Sequence, residues 1–93
     1  MKIKKELLWL INEEAKYATK QYGPFKSPHE AYGVLKEEFE EWWDSIKNDE
    51  QSDYELLQVV AVGFRYLVER VKENYALLGD ISDEQMERWE TNE

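Results

Sequence analysis

The chain has 93 residues, of which 21 are acidic and 12 basic, giving a formal charge of minus nine, and 42% are hydrophobic. That apolar content suits one folded domain over residues 1–93 and excludes disorder by composition; the absence of cysteine excludes a disulfide framework, a thiolate metal site and a thiol nucleophile, and a single histidine, His29, excludes a His-rich zinc site. The acidic balance speaks against a nucleic-acid partner, which needs clustered Lys and Arg, and directs attention to cations.

Ile3, Leu7, Leu8, Ile11, Ala15, Ala18 and Tyr22 recur in three- and four-residue steps, which predicts an amphipathic helix over about 2–21. Gly23-Pro24-Phe25-Lys26-Ser27-Pro28 holds both prolines and is the one firm loop. Ser27, Pro28 and Glu30 then form a helix start: a hydroxyl cap, a proline at the first helical position and a carboxylate three residues after the cap. Ala31, Leu35, Phe39, Trp42 and Ile46 are the expected core stripe of a second helix, about 28–47. Ser52 and Glu55 repeat the start signature, and Leu56, Leu57, Val60, Phe64, Leu67, Val71, Tyr75 and Leu78 are the expected inward stripe of a long third helix, about 53–78. Gly79 stops it, and Ser82 and Gln85 start a short fourth helix, about 83–90, expected to pack as a flap through Met86 and Trp89.

The expected fold class is all-α: an antiparallel helical bundle of three main helices plus a short C-terminal helix. No apolar run approaches the roughly 20 residues needed to span a bilayer, and Leu7 to Ile11 is too short for a leader, so a cytoplasmic protein without a membrane partner is expected. The first half of the third helix is apolar nearly all round, since Val59, Ala61 and Val62 flank Val60. Such a surface calls for a second subunit, and Gly63, which costs about 1 kcal/mol against Ala in a helix interior, suggests a close helix crossing. A homodimer of the four-helix-bundle type, or a dimer of dimers, is therefore expected.

Glu37-Glu38-Phe39-Glu40-Glu41 is the densest run of like charge. On the helical wheel Glu38 and Glu41 border the apolar stripe, while Glu37 and Glu40 project to the opposite side. Two carboxylates at i and i+3 repel, and a hard cation such as Mg²⁺ offsets that repulsion by taking oxygen ligands; the alternative is a solvated acidic face. A short turn between the second and third helices brings Glu55 and Gln58 to about the same level as Glu38 and Glu41, the geometry of carboxylate metal sites inside helical bundles. Glu55 also has a second role available, capping its own helix at Ser52.

The stretch from Gly23 to Trp43, followed by Glu55-Leu-Leu-Gln58-Val-Val-Ala-Val-Gly-Phe-Arg65, resembles the MazG-like branch of the all-α nucleoside triphosphate pyrophosphohydrolases, a superfamily that includes dimeric dUTPases and phosphoribosyl-ATP pyrophosphohydrolase. Its hallmark is Glu-x-x-Glu on one helix and Glu-x-x-Asp on the next. The resemblance covers roughly residues 22–70 and implies Glu38 and Glu41 as catalytic metal ligands, with Glu55 and Gln58 completing the set for Mg²⁺ or Mn²⁺. Gln58 stands where the pattern has Asp, and its amide oxygen ligates without charge. Arg65, Arg70 and Lys72 are candidates to hold the phosphates, although basic residues in the second half of a helix also serve as dipole partners. The implied activity is cleavage of a nucleoside triphosphate to monophosphate and pyrophosphate; the alternative is a non-catalytic helical dimer acting as an interaction or weak nucleotide-binding module.

Overall fold

The computed structural model describes residues 2–74 and 82–91, with side chains for 2–71 and 82–89. All regular structure among them is helical: α1 (Lys2–Tyr22), α2 (Pro28–Lys47), α3 (Asp53–Asn74) and α4 (Asp83–Thr91). The expected helices agree to within a residue at the termini described. Tyr75 and Leu78, expected on the third helix, lie outside the described residues. No helix among the described residues is long and apolar enough to cross a membrane.

Local chemistry accounts for each boundary. Gly23 ends α1 with φ +75, a left-handed backbone conformation open to glycine without penalty, and its amide donates to the Thr19 carbonyl at 2.8 Å. Ser27 starts α2: its hydroxyl accepts from the Glu30 amide at 3.1 Å, and the Glu30 carboxylate reaches back to the Lys26 amide at 3.3 Å, one residue beyond the cap. At the other end of α2, Asp49 takes φ 56 while its amide donates to Ile46 and that of Glu50 donates to Ser45 at 2.9 Å. This is a Schellman closure with Asp in the position that usually belongs to Gly. Ser82 and Gln85 make a reciprocal capping box on α4, the Gln85 amide donating to the Ser82 hydroxyl at 3.2 Å and the Ser82 amide to Gln85 Oε1 at 2.9 Å.

α3 packs against both α1 and α2; among the described residues no close backbone approach joins α1 to α2, or α4 to any of the three. The expected flap role of α4 is therefore not met, and Met86 and Trp89 are exposed. α2 and α3 run antiparallel across the 48–52 turn, because Glu38 and Glu41 meet Glu55 near the turn while Phe25, just before α2, reaches Glu69 far along α3.

The buried apolar side chains are Ala15, Ala31 and Ala61, one from each of α1, α2 and α3. The sequence-predicted stripes need correction here. On α3 the inward side is Ala61 and Arg65, whereas Leu56, Val60, Phe64 and Leu67 face outward; on α2 Phe39 is 54% exposed and Ile46 42%. Small side chains permit α3 to sit against two neighbours at once, which leaves the larger ones on the outside. A Cβ added to Gly63 would meet no atom within 4 Å, so no close crossing within the chain explains this glycine.

Candidate metal centre

The α2–α3 turn sets the geometry of the acidic residues. Glu38 and Glu41 stand one turn apart on α2, and Glu55 lies in the first turn of α3 opposite them. One carboxylate oxygen from each of the three falls within 4.8 Å of the other two. Glu38 and Glu55 are half-buried and Glu41 is exposed, so the cluster opens to solvent on the Glu41 side. Among the described residues no hydrogen bond joins the Glu55 carboxylate to the Ser52 amide, and the Ser52 carbonyl accepts from Leu56 at 3.1 Å. Of the two roles open to Glu55, the structure shows the one facing Glu38 and Glu41.

This crowding has an electrostatic signature. The Glu38 carboxyl is pushed up from its ordinary 4.5 to about 7, first by burial, then by the charge of Glu41 and a hydrogen bond shared with it, then by the charges of Glu55 and Glu37. A cation placed among the three would reverse each of these repulsions.

The cluster borders a cavity of about 490 Å³ walled by α1, α2 and α3, into which Glu38, Gln58 and Arg65 all face. Gln58 therefore joins Glu38 at one cavity, but its Nε2 is buried with no hydrogen-bond partner. Arg65 is 5% exposed, with its guanidinium carbon 4.0 Å from the centre of the Phe25 ring. It lines this cavity and a second one of about 360 Å³ between α1 and α3. Arg70 lies elsewhere, beside a small cavity at the Phe25–Pro28 loop. Lys72 belongs to α3, and its side chain is outside the described residues. His29 is exposed in the first turn of α2. Trp42 is half-buried edge-on to Phe39 at 5.7 Å, and Trp43 is exposed beneath the Lys47 ammonium, also at 5.7 Å.

Three parts of the cavity wall were not legible in the sequence. Glu37, read there as projecting to the opposite side, is exposed but lines the cavity and adds to the field on Glu38. Glu14 and Tyr17 bring α1 into the cavity wall, and no pattern within α1 shows which of its sides meets α3. Phe25 is the third. A lone aromatic between two prolines was the available signal, since a solvated turn has no need of a large apolar ring.

The donor set is oxygen throughout: three carboxylates and, at the same cavity as Glu38, an amide. Hard oxygen donors suit Mg²⁺ or Mn²⁺ and give no preference to Zn²⁺ or Cu²⁺. Around Mg²⁺, with oxygens at about 2.1 Å, adjacent ligands are about 3.0 Å apart and opposite ones about 4.2 Å, so a set spanning 4.8 Å needs only slight contraction. The residues fit the ion. Compared with known proteins, the chain matches no family model, no curated protein and no solved structure.

Proposed function

We propose that the protein is a Mg²⁺-dependent nucleoside triphosphate pyrophosphohydrolase of the MazG-like type, releasing nucleoside monophosphate and pyrophosphate, and that it acts as a homodimer. The observation that carries this reading is the approach of Glu38, Glu41 and Glu55, from two helices, to within 4.8 Å beside a cavity of ligand size. When bound, Mg²⁺ supplies neutralisation of the phosphate oxygens and a more acidic water. Glu38, Glu41 and Glu55 hold the ion, and the Gln58 amide oxygen is the uncharged fourth candidate. Glu37 borders the same cavity without belonging to the close triad, which fits it to accept the proton from the attacking water.

Self-association is supported by exposed apolar surface: α1 leaves Ile3, Leu7, Leu8 and Trp9 uncovered, and α3 leaves an outward stripe of Leu56, Val60 and Leu67. Packing it on a second copy would build the four-helix-bundle type of interface.

The test is release of pyrophosphate from a panel of common and damaged nucleoside triphosphates with Mg²⁺ or Mn²⁺. Turnover that disappears with chelator and in Glu38→Gln supports the reading. Metal binding without turnover of any substrate favours the interaction-module alternative, for which the uncharged Gln58 in the ligand set is the specific argument. Activity unchanged in Glu38→Gln refutes the assignment of the centre.

A further inference from the structure

Arg65 is the only buried charged side chain among the described residues, and its one close partner is the face of the Phe25 ring. Its Nε and Nη1 donors have no hydrogen-bond acceptor, and among the described residues no carboxylate comes within 4.0 Å of its nitrogens. The placement is nevertheless fixed. Phe25 covers one face of the guanidinium, and the Phe25 amide donates to Glu69 Oε2 at 3.1 Å while its ring meets Tyr66 edge-on at 6.1 Å. A buried guanidinium without an acceptor is costly, and a purely structural arginine would be paired. Gln58 Nε2 is a second buried donor without an acceptor, and it lines the same cavity as Arg65.

The rest of that wall defines what the donors await. Tyr17, Tyr22 and Phe25 offer apolar and aromatic surface, and Glu14, Glu30, Glu37 and Glu38 outnumber the single guanidinium. The missing ligand group must therefore present acceptors, be flat enough to lie on aromatic rings, and carry no net negative charge. A phosphate fails the last condition. A nucleobase meets all three, and one with a carbonyl oxygen suits paired donors best: guanine offers O6 beside N7, cytosine O2 beside N3 and uracil O2 and O4, whereas N7 and N1 of adenine each stand beside the N6 amino donor.

We infer that this cavity receives the base of the nucleotide, and that Arg65 and Gln58 select carbonyl-bearing bases over adenine by donating hydrogen bonds to the carbonyl oxygen. The inference rests on the nucleotide reading proposed above and deepens it: Arg65 grips the base end, and the carboxylate centre serves the phosphate end. A site built to donate to a substrate carbonyl discriminates strongly against an analogue without one, since its buried donors are then left unpaired.

The structural alternative is that Arg65 serves to pair with Glu69, one turn along α3, whose Oε1 is also buried and unpartnered. Calorimetric titration of the purified protein with GMP, CMP, UMP, AMP and inorganic pyrophosphate, each with and without Mg²⁺, separates the possibilities. The expected result is binding of GMP, CMP or UMP at least tenfold tighter than AMP. Arg65→Met should abolish that preference while leaving Mg²⁺-dependent pyrophosphate binding in place, and Gln58→Leu should narrow it in a variant with less buried volume at stake. Glu69→Gln should leave it unchanged. Equal affinity for the four monophosphates, or an Arg65→Met loss as large for pyrophosphate as for GMP, overturns the inference. Base-blind binding with Mg²⁺-dependent pyrophosphate affinity would overturn base selection and leave the metal centre standing. A retained base preference with no Mg²⁺ dependence would sustain base selection and overturn the centre; no binding of any probe overturns both.

Discussion

Replacing Glu38 by Gln should stabilise the metal-free protein and remove its response to Mg²⁺. In the folded chain the Glu38 carboxyl titrates at about 7 instead of 4.5, so between those values the folded state holds a proton that the unfolded state has released. Stability therefore falls as pH rises through this window, and the cost is fully present above about 7. Taken at face value the shift corresponds to about 3 kcal/mol, but the side chain is only half-buried, and solvent screening brings the expected cost down to about 1 kcal/mol. Gln keeps the shape and never ionises. In EDTA at fixed protein concentration, thermal unfolding followed by circular dichroism should show wild type and Glu38→Gln alike at pH 4, and the variant higher in Tm at pH 8 by about 4–8 °C. Adding Mg²⁺ at pH 8 should raise the wild-type Tm and leave the variant where it was, reversing the order at saturating metal. A variant equal to or less stable than wild type at pH 8 in EDTA would refute the claim that Glu38 is strained by its neighbours.

Three further outcomes follow from the same geometry. Asp49→Gly relieves a left-handed residue at the α2 closure and should stabilise by about 0.5 kcal/mol in chemical denaturation, as Gly adopts positive φ without steric cost. Gly63→Ala has open space within the chain and gains helix propensity of about 1 kcal/mol, so sedimentation equilibrium that shows weaker self-association alongside unchanged helicity would place Gly63 at the subunit crossing; unchanged association would put the interface elsewhere. Leu67→Asp, on the outward stripe of α3, should yield a monomer of lowered Tm if that stripe is the dimer face, and a dimer like wild type if it is not.

Helix starts and stops were legible because they are local. Ser27 with Glu30 and Ser82 with Gln85 satisfy backbone amides within four residues of chain, so the pattern and the hydrogen bonds coincide closely. The approach of Glu38 and Glu41 to Glu55 was legible for a related reason: a short turn fixes the register of two antiparallel helices. The facing of α3 was not. A wheel reports where apolar residues gather, and on α3 they gather on Leu56, Val60, Phe64 and Leu67, but the chain itself packs through Ala61 and Arg65. Where apolar residues extend over more than one side of a helix, periodicity alone does not show which side the chain itself covers. The burial of Arg65 under Phe25 was not legible, since it depends on a loop whose path no spacing rule sets.

The proposed function depends on where a divalent cation sits. Crystals grown with Mn²⁺ and measured at the manganese absorption edge should show an anomalous peak within about 2.2 Å of oxygens from Glu38, Glu41 and Glu55, with the Gln58 amide oxygen turned toward it. The proposed function requires that peak, and its loss in Glu38→Gln crystals. A peak held by other residues, or none at saturating Mn²⁺, would contradict it.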